Sequence, residues 1–406
     1  MRVIYPWRWI FLAVLPGCLG SFAAFGQIDP VKRELLQFGY NASLEGHAPL
    51  SGYAFYYLNR PDFLRTNLTL RLAVAPTYLD SELGISQAIG PQTDIGIGLA
   101  GGGYADNYPE IRRGTYLPKE SFIGYGGEAS FSVYHLFNPG SQIPLNGLIR
   151  GIAHYSTYEA DNTASDFKLP EDRGTFSVRT GLRWGGREPT LFPSLAMELS
   201  IWYQGEFRTG TGTYGFGDRR VEPSSHLFWA EALLAYQMPE LKHSFLLSLT
   251  AGTSVDADRF SAYRLGSLLP LVAEYPLSVP GYYYQELSAD EFVLLAGNYL
   301  LPLDKDQHWN LEINAATAVV DYLDGLEQPG HWHSGVGGGI LYQTPSWKVL
   351  LCYAYGVDAI RSSGRGANSI GILMQFDLGQ GKAKAFSPTQ PGLWRGVQRV
   401  FGLFGS

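Results

Sequence analysis

Residues 175–206 read TFSVRTGLRWGGREPTLFPSLAMELSIWYQGE, and they contain two stretches in which apolar and polar side chains alternate. With a period of two, the apolar set and the polar set lie on opposite faces of a β-strand. The polar set carries charges of both signs, at Arg179, Arg183, Glu198 and Glu206. Charges are costly against lipid, so we expect these four side chains to face a hydrated or plugged lumen.

The same pattern recurs along the chain, with connections that are alternately short and long. The short ones lie near residues 138–145, 186–194, 238–243, 302–309 and 344–347, and the long ones near 105–121, 158–174, 208–224, 257–290, 321–333 and 358–367. Strands of roughly 9–11 residues, with short turns on one side and long loops on the other, are typical of outer-membrane β-barrels. A soluble sandwich shares the alternation, but its strands are about half as long.

The sequence therefore predicts an all-β fold, a transmembrane antiparallel outer-membrane β-barrel of fourteen to sixteen strands. The count depends on residues 67–88. A turn near Asp80-Ser81 gives sixteen strands, which we prefer, and one long strand gives fourteen. Either even number leaves both chain ends on the periplasmic side.

Composition excludes several other classes. Of the 406 residues 45% are hydrophobic and 17% charged, yet no apolar run of helical membrane-spanning length follows the N-terminus. The formal charge of −7 argues against nucleic-acid binding. Cys18 and Cys352 are the only cysteines, so neither a disulfide framework nor a thiolate metal site is predicted. We expect no cofactor, no metal site and no catalytic residue.

Residues 1–26 are predicted to be a secretory signal peptide. Arg2 and Arg8 precede an apolar stretch over residues 9–19, and Ala24-Phe25-Gly26 has the small residues of a cleavage site. A lipoprotein signal, with Cys18 as the lipidated mature N-terminus, remains the alternative. Both predict export.

The prediction divides the rest of the chain into three parts. Residues 27–37 form a short periplasmic segment with a helix after Pro30, and residues 38–379 form the barrel. Residues 380–406 form a periplasmic tail. Its LWRGVQRVFGLF stretch, residues 393–404, is either an amphipathic helix with one apolar stripe or a frayed end.

The predicted last strand contains SIGILMQF, Ser369 to Phe376. Ser369, Gly371, Met374 and Phe376 fit the terminal-strand signal that outer-membrane assembly machinery reads, in the pattern polar-x-Gly-x-x-apolar-x-aromatic. The match makes that machinery an expected partner during biogenesis.

The longest loop, residues 257–290, carries a second set of motifs. Leu265-Gly266 stands near its start and Gly281-Tyr282 near its tip. With the strand that follows, these residues resemble the bacterial surface antigen superfamily, the barrels of outer-membrane insertases and two-partner secretion translocators. The resemblance implies that this loop folds into the lumen. The superfamily's tip arginine is Pro280 here, and we expect a stand-alone barrel without periplasmic repeats.

Three groups of polar residues have the side chains of a chemical site. His154 and Ser156 resemble a lipid A deacylase pair, but alternation points them inward with Arg150. His331 and His333 offer two imidazoles with no nearby third ligand beyond Glu327, so loop solvation is expected. Solvation is likewise expected for the loop charges, with binding of anionic surface sugars or phosphates as the alternative. These charges are Glu110, Arg112, Arg113, Asp218, Arg219 and Arg220.

The sequence thus predicts a bacterial outer-membrane protein that is not an enzyme. Its expected function is transport, pore formation or membrane insertion, with outer-membrane lipids and lipopolysaccharide as its surroundings. The alternatives are an outer-leaflet lipid A or phospholipid acyl hydrolase and a structural or adhesin barrel. Cargo, oligomeric state and an open or plugged lumen are left undecided by the sequence.

Overall fold

A computed structural model of the chain describes residues 31–379, except for residues 50, 104, 188–189, 272 and 363. The predicted signal peptide, the alternative lipidation of Cys18 and the predicted tail lie outside this described part. Among the described residues, no helix is long and apolar enough to span a membrane.

Sixteen antiparallel strands form the wall of the protein, each paired with its neighbours in sequence. They are β1 (Arg33–Ser43), β2 (Gly52–Pro61), β3 (Leu68–Val74), β4 (Tyr78–Gly90), β5 (Thr93–Gly102), β6 (Ile123–Leu136), β7 (Leu145–Glu159), β8 (Arg173–Gly186), β9 (Leu195–Arg208), β10 (Ser224–Gln237), β11 (Ser244–Val255), β12 (Leu287–Pro302), β13 (Trp309–Tyr322), β14 (Trp332–Gln343), β15 (Trp347–Arg361) and β16 (Gly364–Asp377). β1 pairs with β16 from Leu35↔Asp377 to Ser43↔Ser369, so the sheet closes on itself. The predicted sixteen-stranded barrel is confirmed.

The two rims of the barrel differ in the length of their connections. The lower rim, where β1 begins and β16 ends, has the turns 62–67, 91–92, 137–144, 187–194, 238–243, 303–308 and 344–346. The upper rim has the loops 44–51, 75–77, 103–122, 160–172, 209–223, 256–286, 323–331 and 362–363. Residues 256–286, called the plug loop below, are the sixth of these upper loops.

Three local predictions are wrong. The helix expected after Pro30 is strand instead, because β1 begins at Arg33 and pairs on both edges, which outweighs the helix propensity of RELLQ. Strand structure therefore starts five residues before the predicted boundary at residue 38. The turn near Asp80-Ser81 lies instead at residues 75–77, and the long loop over 358–367 shrinks to residues 362–363 because β15 and β16 continue into it.

The wall has an apolar outer face and a largely polar inner face. Large apolar side chains point outward and remain exposed on strand after strand, as Leu99, Ile149, Ile201 and Leu351 illustrate. An apolar belt of this extent is expected on a lipid-facing surface and not on a soluble one. At the lower rim the rings of neighbouring strands contact one another, as in an interfacial aromatic girdle. The contacting pairs are Trp309–Tyr342, Tyr342–Trp347 and Trp347–Phe376.

Candidate functional site

The plug loop enters the lumen from the upper rim and occupies its centre. Its first arm, Tyr263–Leu265, pairs with the start of β12 through Leu265↔Leu287, and the chain then turns inward at Gly266. Leu265 and Val279 are fully buried. The loop is also tied to itself, since Gly266 N donates to Leu277 O at 3.0 Å. The inward course is therefore built from both wall contacts and internal hydrogen bonds.

An ion-pair network fixes the plug loop to the lower half of the wall. Arg183 Nη2 on β8 donates to Glu274 Oε1 of the plug loop at 2.7 Å, and Arg183 Nε lies 2.9 Å from Glu198 Oε1 on β9. Arg179 Nη1 lies 3.7 Å from the second Glu274 oxygen. Two arginines and two carboxylates therefore balance one another in a buried site, where removing one partner is strongly destabilising.

Aromatic rings surround this network. Tyr275 follows Glu274, accepts a hydrogen bond from Arg183, and packs at centroid distances of 5.7 Å on Trp202 and 5.8 Å on Trp229. Three of the four predicted lumen charges, Arg179, Arg183 and Glu198, therefore lie in one network with a loop residue. The fourth, Glu206, lies higher in the lumen beside Arg208 and Gln204. Sequence alternation placed these side chains inward but contained no sign of Glu274.

The tip of the plug loop packs on glycines of β14 and β15. A Cβ on Gly281 would lie 1.9 Å from Gly356 N of β15, and a Cβ on Gly335 of β14 would lie 2.1 Å from Pro280 O. Backbone therefore packs on backbone at this point. Gly281 also has φ +83°, a conformation that favours glycine. Pro280, where the superfamily has arginine, contacts the wall through its main chain.

The residues after the tip secure the return to the wall. Tyr282 Oη and His333 Nδ1 share a hydrogen bond of 3.1 Å, and His333 Nε2 contacts Tyr322 Oη. Arg361 at the end of β15 donates to both oxygens of Glu286 at 2.8 and 3.0 Å. All four motif residues predicted in this loop, Leu265, Gly266, Gly281 and Tyr282, thus lie inside the barrel.

The lower mouth is closed by the turn between β8 and β9, residues 187–194. Leu191 is buried among Leu269 of the plug loop and four leucines of the wall. Lys348 Nζ donates to Leu191 O at 2.6 Å, and Leu191 N donates to Gln375 Oε1 at 2.9 Å. Arg187 also donates to the carbonyl of Glu274. The sequence indicated only an ordinary short turn here, so this second obstruction was missed.

The upper mouth is covered by loops that pack on one another. Their aromatic core consists of Tyr108, Phe122, Tyr158, Phe167 and Tyr214, with Phe260 of the plug loop against it. Glu110 is fully buried beneath the loops, and Arg112, Arg219 and Arg259 lie within 3.2–3.5 Å of its carboxylate. The expected solvation is therefore wrong for Glu110 and Arg219, which pair across loops. Arg112 pairs within its own loop and stays 37% exposed, and Arg113 and Arg220 are exposed.

The geometry of His154 and Ser156 offers no nucleophile–base pair. Both point into the lumen, but His154 Nε2 lies 2.8 Å from Asp106 Oδ2 and His154 Nδ1 lies 3.4 Å from Glu128 Oε2. An imidazole with a carboxylate at each nitrogen has no nitrogen left to accept a proton from a serine. Burial raises the pKa of Asp106, but hydrogen bonds from His154 and Ser156, together with the charges of His154 and Arg173, outweigh burial and hold that pKa below the ordinary value.

Two groups of side chains carry donor atoms of the kind that bind metals. His331 and His333 do not converge, since His331 contacts Val320 O while His333 is buried on the inner face of β14; the expected solvation is wrong for His333. In the lower turn 303–308, ligand atoms of Asp304, Asp306 and His308 lie within 4.8 Å of one another. Backbone amides already donate to both oxygens of Asp304, as expected for a turn-stabilising carboxylate.

The residues of the predicted assembly signal lie in the closing strand. Ser369 and Gly371 face the lumen and pair with Ser43 and Asn41 of β1, while Met374 and Phe376 face outward. The signal therefore coincides with the edge that joins the first strand to the last.

Comparison with known proteins identifies relatives by fold. No protein-family model and no curated relative matches this sequence. CdiB from Acinetobacter baumannii is similar with a TM-score of 0.55 at 12% identity, over 85% of this chain and 60% of that one. BamA from Haemophilus ducreyi gives 0.54 at 9% identity, over 88% and 75%, and CdiB from Escherichia coli gives 0.55 at 11%, over 88% and 67%.

The TM-scores of 0.54–0.55 show a common fold, and identities of 9–12% show nothing finer. The chain spans about 60% of the length of the Acinetobacter CdiB chain. The sixteen strands and the inward sixth upper loop confirm the resemblance that the loop motifs indicate. The protein therefore has the same barrel fold as these CdiB and BamA structures.

Proposed function

We propose that this protein is an outer-membrane barrel that moves a substrate across, or inserts one into, the outer membrane, and that it rests in a closed state. The observation that carries the proposal is the attachment of the plug loop by ion pairs, Glu274 with Arg183 and Arg179. A permanent filling of a barrel would be expected to be apolar, because buried ion pairs add little stability over a packed apolar core. Charge pairs, in contrast, exchange readily for water or for a polar substrate.

The resting state is closed at three levels. The loops above Glu110 cover the upper mouth, the plug loop occupies the centre, and residues 187–194 close the lower mouth. Arg187 joins the lower closure to the plug loop at Glu274. We therefore propose that withdrawal of the plug loop also releases the lower turn, so that one movement opens most of the path.

Solute efflux from liposomes tests this proposal. Folded protein is reconstituted into liposomes that enclose dyes of graded size. Dye release is then followed with and without an applied membrane potential. We expect slow, potential-dependent release of small dyes and an upper size limit. Release equal to that of protein-free liposomes at every potential, from protein whose folding is verified, would contradict a transport role.

We also propose that the chain is not an enzyme and that its surroundings are outer-membrane lipid and lipopolysaccharide. The inward orientation of Ser156 and the two carboxylates at His154 support the first point. The exposed apolar belt supports the second. Fatty-acid release from phospholipid or lipid A that disappears in Ser156→Ala would instead establish the hydrolase alternative. Binding of cells or phage through the upper loops, without efflux, would favour the adhesin alternative.

A further inference from the structure

A large cavity separates the plug loop from one side of the barrel wall. Its volume is about 1130 Å³, and it runs along β1 to β6 beside the inner arm of the plug loop. Small-molecule sites are typically clefts of roughly 300–1,000 Å³, so this space is large enough for a whole ligand. Neither the ion-pair network around Glu274 nor the lower turn fills it.

The wall beside this cavity has a low point on the upper rim. β3 ends at Val74, which pairs with Tyr56, and β4 begins only three residues later. β2 continues above that pair to Gly52, and its residues 52–55 pair with β1 but with no residue of β3. The turn at residues 75–77 therefore leaves a notch between β2 and β5.

The cavity passes over this notch to the outside of the barrel. Its lining includes Arg71 and Ala73, which face the lumen, together with Ala75 in the notch itself. It also includes Tyr40 and Leu99, which lie on the lipid-facing side and are 46% and 62% exposed. One continuous space thus joins the lumen to the region beside the outer wall.

The lining has an apolar part and a polar part. Phe55, Ala73 and Leu271 belong to one apolar cluster on the inner side. In the polar part, Ser267 is 1% exposed, and its Oγ has no hydrogen-bond partner among the described residues. A buried hydroxyl without a partner is costly unless a ligand or water satisfies it. The hydroxyl of Tyr53, on the same lining, likewise has no hydrogen-bond partner among the described residues.

A cation completes the polar part. Arg264, on the first arm of the plug loop, donates to the carbonyls of Pro109 and Gln285 at 3.0 Å, but no carboxylate of the described residues forms a salt bridge with it. Arg71 and Arg150, also on the lining, pair with the carboxylates of Glu82 and Asp80, and the lining acid Glu128 lies 3.4 Å from His154 Nδ1. The remaining lining acid, Asp161, is exposed in an upper loop. Among the described arginines of this lining, Arg264 is therefore the one without a carboxylate partner, and it stands three residues before the unpartnered Ser267.

We propose that this cavity binds an acyl-chain amphiphile with a phosphate head group. The phosphate lies against Arg264 and Ser267, because guanidinium and hydroxyl donors are the usual partners of phosphate oxygens. The acyl chains follow the apolar lining and pass over the notch at residues 75–77 onto Tyr40 and Leu99. The site does not depend on transport through the barrel, since a lipid can occupy it while the plug loop stays in place.

Native mass spectrometry of the folded barrel in dodecyl maltoside tests the site. Phosphatidic acid, the diacylglycerol with the same chains, and lipid A are added separately at equal concentration. We expect retained adducts with a phosphate lipid and about tenfold fewer with diacylglycerol, the effect of losing one charge-assisted hydrogen bond. Preference for phosphatidic acid assigns a glycerophospholipid, and preference for lipid A assigns lipopolysaccharide.

Three variants separate this cavity from general lipid binding to the belt. Arg264→Gln and Ala75→Trp, which remove the cation and block the notch, should each lower adduct formation about tenfold. Ser362→Trp, in the other very short upper turn, should leave it unchanged. Equal adducts in wild type and Ala75→Trp would overturn the site, and equal retention of diacylglycerol and phosphatidic acid would overturn the phosphate assignment. Should Arg264→Gln fail to fold, Ser267→Ala tests the same head-group contact.

Discussion

Glu274 Oε1 of the plug loop lies 2.7 Å from Arg183 Nη2 of β8, and both side chains are at most 5% exposed. In the superfamily that the motifs indicate, the loop contributes the cation at its tip and the barrel contributes the acid. Here the loop contributes a carboxylate, the wall contributes the arginines, and Pro280 occupies the tip. The plug loop is thus attached to the wall by charge, with the acid on the loop and the cations on the wall.

Glu274→Gln should weaken the hold of the wall on the plug loop. The substitution keeps the size of the side chain but removes the charge that faces Arg183 and Arg179, a loss of about 1.5–3 kcal/mol. We expect the open fraction of the barrel in planar bilayers to rise about tenfold or more. Glu171→Gln is the control, because Glu171 is an upper-loop acid that is 60% exposed. Equal open fractions in both variants would argue against an electrostatic lock.

Gly281→Ala should dislodge the tip of the plug loop. Its new Cβ would meet Gly356 N at 1.9 Å, whereas Gly140, with a similar φ of +86°, has nothing within 4 Å of a built Cβ. Both substitutions carry the same backbone strain, so their difference isolates the clash. We expect Gly281→Ala to be less stable than Gly140→Ala by roughly 1–3 kcal/mol in urea unfolding. Identical midpoints would mean that the tip does not rest on β15.

The pair Glu286–Arg361 should show strong coupling in a double-mutant cycle. Each single change to glutamine leaves one buried charge without its partner, and the double change leaves none. We expect a coupling free energy of roughly 1–3 kcal/mol in unfolding experiments. Lys168–Glu171, with both side chains 60% exposed, provides a matched surface pair that should couple by less than about 1 kcal/mol. Similar coupling in the two pairs would contradict the buried geometry.

Lys348→Met should loosen the turn that closes the lower mouth. The ammonium group donates to Leu191 O, and methionine keeps the bulk without that donor. We expect faster amide hydrogen exchange over residues 187–194 and unchanged exchange in the wall strands. Lys242→Met, in the neighbouring lower turn 238–243, should leave residues 187–194 unaffected. Unaltered exchange in Lys348→Met would show that the leucine contacts and the hydrogen bonds of Leu191 with Gln375 and of Arg187 with Glu274 hold the turn without Lys348.

The fold was predictable from the sequence because a period of two is visible in each strand alone. Arg179, Arg183 and Glu198 point inward as their alternation with apolar neighbours indicates. The strand count depended on finding one turn. Asp80 and Ser81 have turn-forming side chains, yet Asp80 lies 3.9 Å from Arg71 on the neighbouring strand. Tertiary contacts therefore outweighed local propensity, as they did for the helix expected after Pro30.

The closing contacts could not be read from the sequence in the same way. Arg183 and Glu274 are 91 residues apart, and Leu191 and Gln375 are 184 residues apart. No local pattern relates the members of either pair. Leu191 also follows Thr190 in a segment that has the composition of an ordinary turn. Only the closed barrel brings such residues together, so the lower closure had no sequence signal.

Single-channel conductance of the refolded barrel tests the central claim most directly, with wild type beside a deletion of residues 265–285. The account predicts a wild type that is closed most of the time and a deletion variant that conducts steadily, because the deletion removes Glu274 and the tip at Gly281 together. Steady conductance in the wild type, or silence in a deletion variant whose barrel is folded, would contradict a lumen closed by the plug loop.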